Sequence, residues 1–271
     1  MSIPSSLSLV QLHSGQMQVF QSPHRFKVVC AGRRWGKSRL SISTIIRAAA
    51  KERKQRVWYV APTYQMARQI LWDDLQEVLP RKWIRKKNDT TMTIVLKNGS
   101  EIALKGADKP DTLRGVALHF VVLDEFQDMK PDTWYKVLRP TLSSTRGGAL
   151  IIGTPKGFSE FHKLWTIGQN KELQRKGQWK SWQFVTADSP FVPTAEIEAA
   201  KNDMDPKSFA QEYLASFENM SGRVYYPFDR SVHVKPLQFN PKLPVWVGQD
   251  FNIDPMSSVI LQPQPNGELW A

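Results

Sequence analysis

Gly36-Lys37-Ser38 closes the run Val28-Val29-Cys30-Ala31-Gly32-Arg33-Arg34-Trp35, and about 90 residues later Asp124-Glu125 closes a second apolar run, Ala117-Leu118-His119-Phe120-Val121-Val122-Leu123. A lysine and a hydroxyl at a glycine turn, with two adjacent carboxylates, are the groups that hydrolysis of a phosphoanhydride requires. Backbone N–H groups of such a turn wrap phosphates, the Lys37 ammonium neutralises the outer ones, and the Ser38 hydroxyl holds Mg²⁺. Asp124 is placed to hold Mg²⁺ through its waters, and Glu125 to orient and deprotonate an attacking water. The pattern is A-x-x-x-x-G-K-S, with Ala31 where glycine usually stands.

These groups must be delivered by particular elements. The first run reads as a buried strand turning into a helix over Ser38 to Ala50, whose positive end points at the same phosphates. The run into Asp124 suits a strand buried on both faces of a parallel sheet, where ligands sit at the C-terminal strand ends. Arg56-Val57-Trp58-Tyr59-Val60-Ala61-Pro62-Thr63 and Ala149-Leu150-Ile151-Ile152-Gly153-Thr154-Pro155-Lys156-Gly157 are two further strands of this kind. Thr154 is positioned to bond the γ-phosphate or its water. From about 26 to 187, strands alternate with helical patterns, which defines an α/β fold with a mainly parallel sheet covered on both faces. Ile94 to Leu104 is the exception, a hairpin about Asn98-Gly99 expected to be antiparallel and at one edge.

The order Gln16, Gly32-Arg33-Arg34-Trp35-Gly36-Lys37-Ser38, Ala61-Pro62-Thr63, Leu113-Arg114-Gly115, Leu123-Asp124-Glu125, Gly153-Thr154-Pro155-Lys156-Gly157 and Gly248-Gln249-Asp250-Phe251-Asn252 resembles the large terminase subunit of tailed bacteriophages over nearly the whole chain. The resemblance implies a P-loop ATPase that uses ATP and Mg²⁺ to thread viral double-stranded DNA into a procapsid, followed by a nuclease domain that cuts the concatemer. It implies that Gln16 reads the adenine edge, and that Gly32, Arg33, Arg34, Gly36, Lys37 and Ser38 form the phosphate site. It gives Glu125 the water, Asp124 the metal, and Thr154 the coupling of hydrolysis to movement. A ring motor supplies an arginine to its neighbour's γ-phosphate. Arg114 is the first candidate, Arg33 and Arg34 are candidates in cis, and Arg139 and Arg146 are further ones. Implied partners are the small terminase subunit, the portal protein and other copies of the chain in a ring, with a location in the host cytoplasm and transiently at the portal.

Composition agrees with a polyanionic partner. The 271 residues carry a net charge of +12 and a pI near 9.8, which favours nucleic acid over a neutral ligand. The basic residues concentrate in 51–56 and in 81–87, the latter enclosing Trp83. No helix-turn-helix, zinc-finger or RNA-recognition signature appears, so contacts should go mainly to phosphate. Cys30 is the single cysteine, excluding an intrachain disulfide and fitting a reducing compartment. The five histidines have no metal-ligand spacing. There is no signal pattern and no apolar run near the roughly 20 residues that span a bilayer.

Three regions are expected: an ATPase domain over 1–187, a helical lid or linker over 188–235, and the start of an RNase H-like domain over 236–271. Residues 1 to about 25 read as a polar lead-in. Thr194 is expected to cap one lid helix, and a second is expected from Lys207 to about Phe217. Val245 to Asn252 reads as a strand with an inward Asp250, and Met256 to Gln262 as its hairpin partner; this resembles the opening of an RNase H-like nuclease, which implies Asp250 as the first of several carboxylates clamping two metal ions. Because the other carboxylates are not in the sequence, it reads as a truncated chain without nuclease activity. Two rival functions stay open: a helicase- or repair-type DNA-dependent ATPase, and a non-hydrolysing DNA-binding assembly module whose phosphate loop has decayed at Ala31.

Overall fold

In a computed structural model, residues 10–217, 234–251 and 257–271 are described. The start of the lead-in, residues 218–233 of the expected lid region, Asn252 and Met256 lie outside them. The chain divides into two compact units, Met1–Gly222 and Arg223–Ala271.

The first unit is built on eight strands: β1 (Phe26–Ala31), β2 (Arg56–Ala61), β3 (Ile84–Asn88), β4 (Thr93–Leu96), β5 (Glu101–Gly106), β6 (Phe120–Leu123), β7 (Gly148–Gly153) and β8 (Trp179–Phe184). They form one sheet in the order β3-β4-β5-β2-β6-β7-β1-β8. The pairs β5/β2, β2/β6, β6/β7, β7/β1 and β1/β8 are parallel, whereas β3/β4 and β4/β5 are antiparallel. The Asn98-Gly99 hairpin therefore forms near one edge, as its turn residues require, with Gly99 at φ +85°. The central strands read as continuous apolar runs because both faces are covered. Along β1, Val29 and Ala31 join one core with Leu40 and Ile45, while Phe26, Val28 and Cys30 join the other with Phe161 and Leu164. That alternation is the period-two pleat sorting side chains between two helical layers.

The helices are α1 (Ser14–Gln21), α2 (Lys37–Lys51), α3 (Tyr64–Ala67), α4 (Asp73–Val78), α5 (Arg139–Thr141), α6 (Glu160–Gln169), α7 (Lys171–Arg175), α8 (Thr194–Asp203) and α9 (Pro206–Glu212). π-helical segments join α3 to α4 at Arg68–Trp72 and lead into α5 at Thr133–Leu138. Three elements differ from the sequence reading. The lead-in contains α1, which buries Gln16, Val19 and Phe20. The basic run 81–87 contains β3, an edge strand whose residues 85–88 are exposed; edge strands tolerate and use such charge. Thr194 is the first residue of α8 rather than its cap, since Pro193 occupies the cap position. The second lid helix is capped as its Asp-Pro start predicts, by Asp205 accepting from Lys207 N at 3.1 Å and Ser208 N at 3.0 Å.

A lysine is among the polar side chains that the first unit buries. Lys27 is 7 % exposed and its Nζ donates to the Val19 carbonyl at 3.0 Å. Burial, with Arg47 nearby, pushes its ammonium down to about 7.

The second unit contains an antiparallel sheet, β11-β10-β9, of β9 (Trp246–Asp250), β10 (Ser257–Pro263) and β11 (Leu269–Trp270). The expected hairpins are present, with Gly267 at φ +83° in the second turn. The inward placement of Asp250 is not: all five residues of β9 are exposed.

Candidate nucleotide site

The phosphate loop is the turn between β1 and α2, and it is braced from three sides. Gly32 N donates to the Phe184 carbonyl at 3.0 Å, which fixes the loop's start to β8. A Cβ on Gly32 would lie 2.5 Å from Thr186 Oγ1 and 2.7 Å from the Tyr213 carbonyl, so the close approach requires glycine. Thr186 Oγ1 donates to the Arg33 carbonyl at 2.9 Å. Trp35 is fully buried, stacked on Phe184 at 4.6 Å and met edge-on by His13 at 5.0 Å. The His13 ring Nε2 donates to the Trp35 carbonyl at 3.0 Å, and Gln16 Nε2 donates to the Gly36 carbonyl at 2.8 Å. Gly36 turns the chain into α2 at φ +103°, a conformation glycine adopts without strain.

Ala31, the departure from the usual motif, is the last residue of β1 and fully buried. The turn begins after it, so its methyl packs in the core and leaves the cradle unobstructed.

The strand order explains how the chemistry converges. β7 lies between β1 and β6, so Thr154 at its end falls between the phosphate loop and the two carboxylates. Lys37 Nζ donates to Thr154 Oγ1 at 2.8 Å and lies 3.8 Å from Glu125 Oε1. Glu125 follows β6 with φ +50°, a left-handed conformation unusual for a glutamate. Gln127 Nε2 holds its other oxygen at 2.7 Å. A cavity of about 790 Å³ opens over these groups, lined among others by Arg34, Lys37, Ser38, Glu125, Thr154 and Phe191. Its cationic wall suits a polyphosphate.

Asp124 sits deeper, 2 % exposed. Tyr59 donates to Oδ2 at 2.6 Å and the Glu125 N–H to Oδ1 at 2.9 Å. Burial and the neighbouring Glu125 push this carboxyl up to about 6, and burial beside Asp124 raises the Tyr59 phenol. Among the described residues no lysine or arginine forms an ion pair with Asp124. A buried carboxylate beside a second one, with the Ser38 hydroxyl on the wall of the cavity that Glu125 also lines, is a donor set that a hard, oxygen-seeking divalent cation fits.

The structure thus brings together Arg33, Arg34, Gly36, Lys37, Ser38, Glu125 and Thr154 at one cavity, with Gly32 and Asp124 immediately behind. Gln16 is separate: it is fully buried, its Oε1 accepts from His13 N at 3.0 Å, and both ends of its amide are engaged by backbone. Here it supports the loop rather than facing the cavity. Arg114 lines a different cavity of about 370 Å³ and pairs with Asp111 at 2.8 Å. Arg139 lies over the Phe26 ring at 4.7 Å, at the start of β1, and Arg146 precedes β7, so neither is at the phosphate end. Asp250 belongs to the second unit, and among the described residues no group of three His, Cys, Asp or Glu could share a metal ion.

Residues that sequence reasoning missed are Tyr59, Gln127, Thr186, His13 and Glu212. Glu212, at the end of α9, ion-pairs with Arg33 and accepts at its carbonyl from Arg33 N at 2.7 Å. Tyr59, Thr186, His13 and Glu212 act across long sequence separations that no local spacing marks, whereas Gln127 acts on Glu125 from two residues away.

Strand order, glycine loop and acidic strand end define a P-loop NTPase fold. Residues 28–231 match the family described as terminase large subunit, T4likevirus-type, N-terminal. The chain belongs to the large terminase subunit family. It is 31 % identical over 219 residues to the large terminase subunit of Escherichia phage T5, covering 79 % of this chain and 49 % of that one. The large terminase subunit of Thermus phage G20c is 32 % identical over 247 residues, covering 84 % and 47 %. The large terminase ATPase domain of Thermus phage P74-26 superposes with a TM-score of 0.65 at 26 % identity, over 77 % of this chain and 94 % of that one. The chain therefore spans about half the length of the curated relatives it matches. No helix among the described residues is long and apolar enough to cross a membrane.

Proposed function

We propose that this chain hydrolyses ATP to drive double-stranded DNA into a procapsid. The observation that carries the reading is the meeting of Lys37, Thr154 and Glu125 at one cavity, with Asp124 directly behind. Lys37 and the N–H groups of the loop bind the triphosphate, and Lys37 exchanges Glu125 for phosphate oxygens. Glu125, released from that ion pair and steadied by Gln127, orients the attacking water and takes its proton. Ser38 and Asp124 would hold Mg²⁺, which would offset charge on the phosphates. Thr154, hydrogen-bonded to Lys37 at 2.8 Å, is the group that couples phosphate binding at Lys37 to the rest of the fold.

Arg114 is assigned to a neighbour's γ-phosphate in a ring of this chain. Its separation from the chain's own phosphate cavity supports that role. The family supports the small terminase subunit and the portal as further partners, and a site of action at the procapsid in the host cytoplasm.

The test is Glu125→Gln. Turnover should fall about 10²–10⁴-fold, the usual yield of a positioned general base. The rise in melting temperature with ATP should persist, since binding of a ligand to the folded state is unaffected. Unchanged turnover removes Glu125 from its role; loss of both the activity and the thermal shift means that Glu125 shapes the site rather than acts in it.

A further inference from the structure

The two basic runs of the sequence, 51–56 and 81–87, are brought to the same end of the sheet. α2 ends there, β2, β3 and β5 begin there, and β4 ends there. This is the end opposite the phosphate loop. Arg53, Lys82 and Lys97 line a cavity of about 530 Å³, and Lys54, Arg56 and Arg85 line one of about 440 Å³, on the two sides of the β4–β5 turn. All six are exposed. Among the described residues, the long Arg56–Glu101 contact of 3.9 Å is the one ion pair any of them makes.

The backbone beneath is rigidly stitched. Asn98 Nδ2 donates to the carbonyls of Ala49 at 2.9 Å and Glu52 at 3.1 Å. Ser100 Oγ accepts from Gln55 N at 2.9 Å, and Lys97 N donates to the Trp83 carbonyl at 2.8 Å. Asn98 already satisfies carbonyls at the end of α2, so the cations are not required as helix caps. Charge on the edge strand β3 protects that edge, but Arg53, Lys54, Arg56 and Lys97 lie off it. Five of these six like charges lack an ion-pair partner among the described residues, so they repel one another, and the arrangement is relieved by a multivalent anion.

We infer that this end of the sheet is a docking surface for the phosphate backbone of duplex DNA. The occupant follows from what surrounds the charges. Single strands are held by bases stacked on exposed aromatic rings, and the two rings of these cavities, Trp83 and His119, are both half-buried, the first with its indole N–H enclosed and the second with Nδ1 accepting from Arg56 N at 3.0 Å. A surface of lysine and arginine without an exposed ring reads backbone charge and carries little sequence preference. The inference deepens the packaging reading and rests on it for choosing DNA among polyanions.

The experiment is fluorescence anisotropy of the full chain with a labelled random-sequence duplex of about 30 base pairs, across a salt series and without ATP. The variant is K82A/R85A/K97A, and the control is K163A/K171A/K201A, which removes the same charge from α6, α7 and α8. The patch variant should bind about tenfold or more weaker at low salt, with the slope of log affinity against log salt reduced by about 2–3, near 0.9 for each phosphate no longer neutralised. The control should keep most of both. An unchanged slope in the patch variant, or an equal loss in the control, overturns the inference. So does a single strand or poly-glutamate that displaces the duplex at lower charge concentration. ATP turnover, measured in parallel, should be unaltered in the patch variant. A chain that binds duplex through the patch but hydrolyses no ATP leaves this surface standing and removes the proposed function; hydrolysis without patch-dependent binding does the reverse.

Discussion

The two ends of the central sheet are both strongly basic, yet they hold their charge in different ways. At the phosphate end three of the cations are matched, Lys37 with Glu125, Arg33 with Glu212 and Lys156 with Asp128, while Arg34 and Arg39 line the cavity without an ion pair among the described residues. At the opposite end Arg53, Lys54, Lys82, Arg85 and Lys97 make no ion pair among the described residues. The contrast sets what each end is suited to do. Matched pairs can exchange a carboxylate for a phosphate and so have two states. Unmatched charges on a stitched platform have one state and present a standing attraction. The first arrangement suits a ligand that comes and goes each cycle, and the second suits a long polyanion that stays.

The largest effect that separates the two ends is the loss of turnover in Glu125→Gln, which should leave duplex binding intact. The next probes the sheet that joins them. Lys27 has a folded-state pKa near 7 against an ordinary 10.5. Between those values the unfolded chain binds more protons, so stability rises with pH across that window, and the full penalty of the buried charge applies below it. Lys27→Met should therefore stabilise the fold at neutral pH by roughly 2–4 kcal/mol, with the gain shrinking toward pH 10. The Val19 carbonyl keeps a donor in Ser22 N at 3.2 Å. Thermal melts of both proteins over pH 6–10 check this, and a gain independent of pH would mean that Lys27 is not buried as an ammonium.

The smallest effect concerns the matched end. Glu212→Gln removes the carboxylate that occupies Arg33, and nucleotide affinity should rise by about 2–5-fold, the scale of a partly exposed ion pair. Calorimetric titration of ATP measures it. Weaker binding would make Glu212 a part of the cradle rather than a competitor for it.

Much of this arrangement was legible in the sequence. Glycine, lysine and serine after an apolar run, and paired carboxylates after another, mark strand ends because backbone N–H groups and carboxylates are useful only there. The Asn98-Gly99 hairpin was legible because its turn needs a positive φ. Other elements carry no local mark. β3 is an edge strand of mostly charged residues, so its pairing with β4 is set by the partner rather than by an apolar pattern. α1 has few apolar side chains; Val19 and Phe20 bury in the core, while Gln16 and the preceding His13 grip the phosphate loop. The same contacts engage both ends of the Gln16 amide with backbone. Asp250 was read as inward on its strand, and β9 is exposed throughout. Tyr59, Thr186 and Glu212 reach the site only through the tertiary fold.

The most direct measurement is a crystal structure of the chain with Mg²⁺ and a non-hydrolysable ATP analogue. The account predicts that Lys37 leaves Glu125 for the outer phosphates, that Ser38 and Asp124 flank the metal, and that Glu125 faces a water in line with the γ-phosphate. An analogue seated elsewhere, with the 2.8 Å Lys37–Thr154 bond and the 3.8 Å Lys37–Glu125 separation both unchanged, would contradict it.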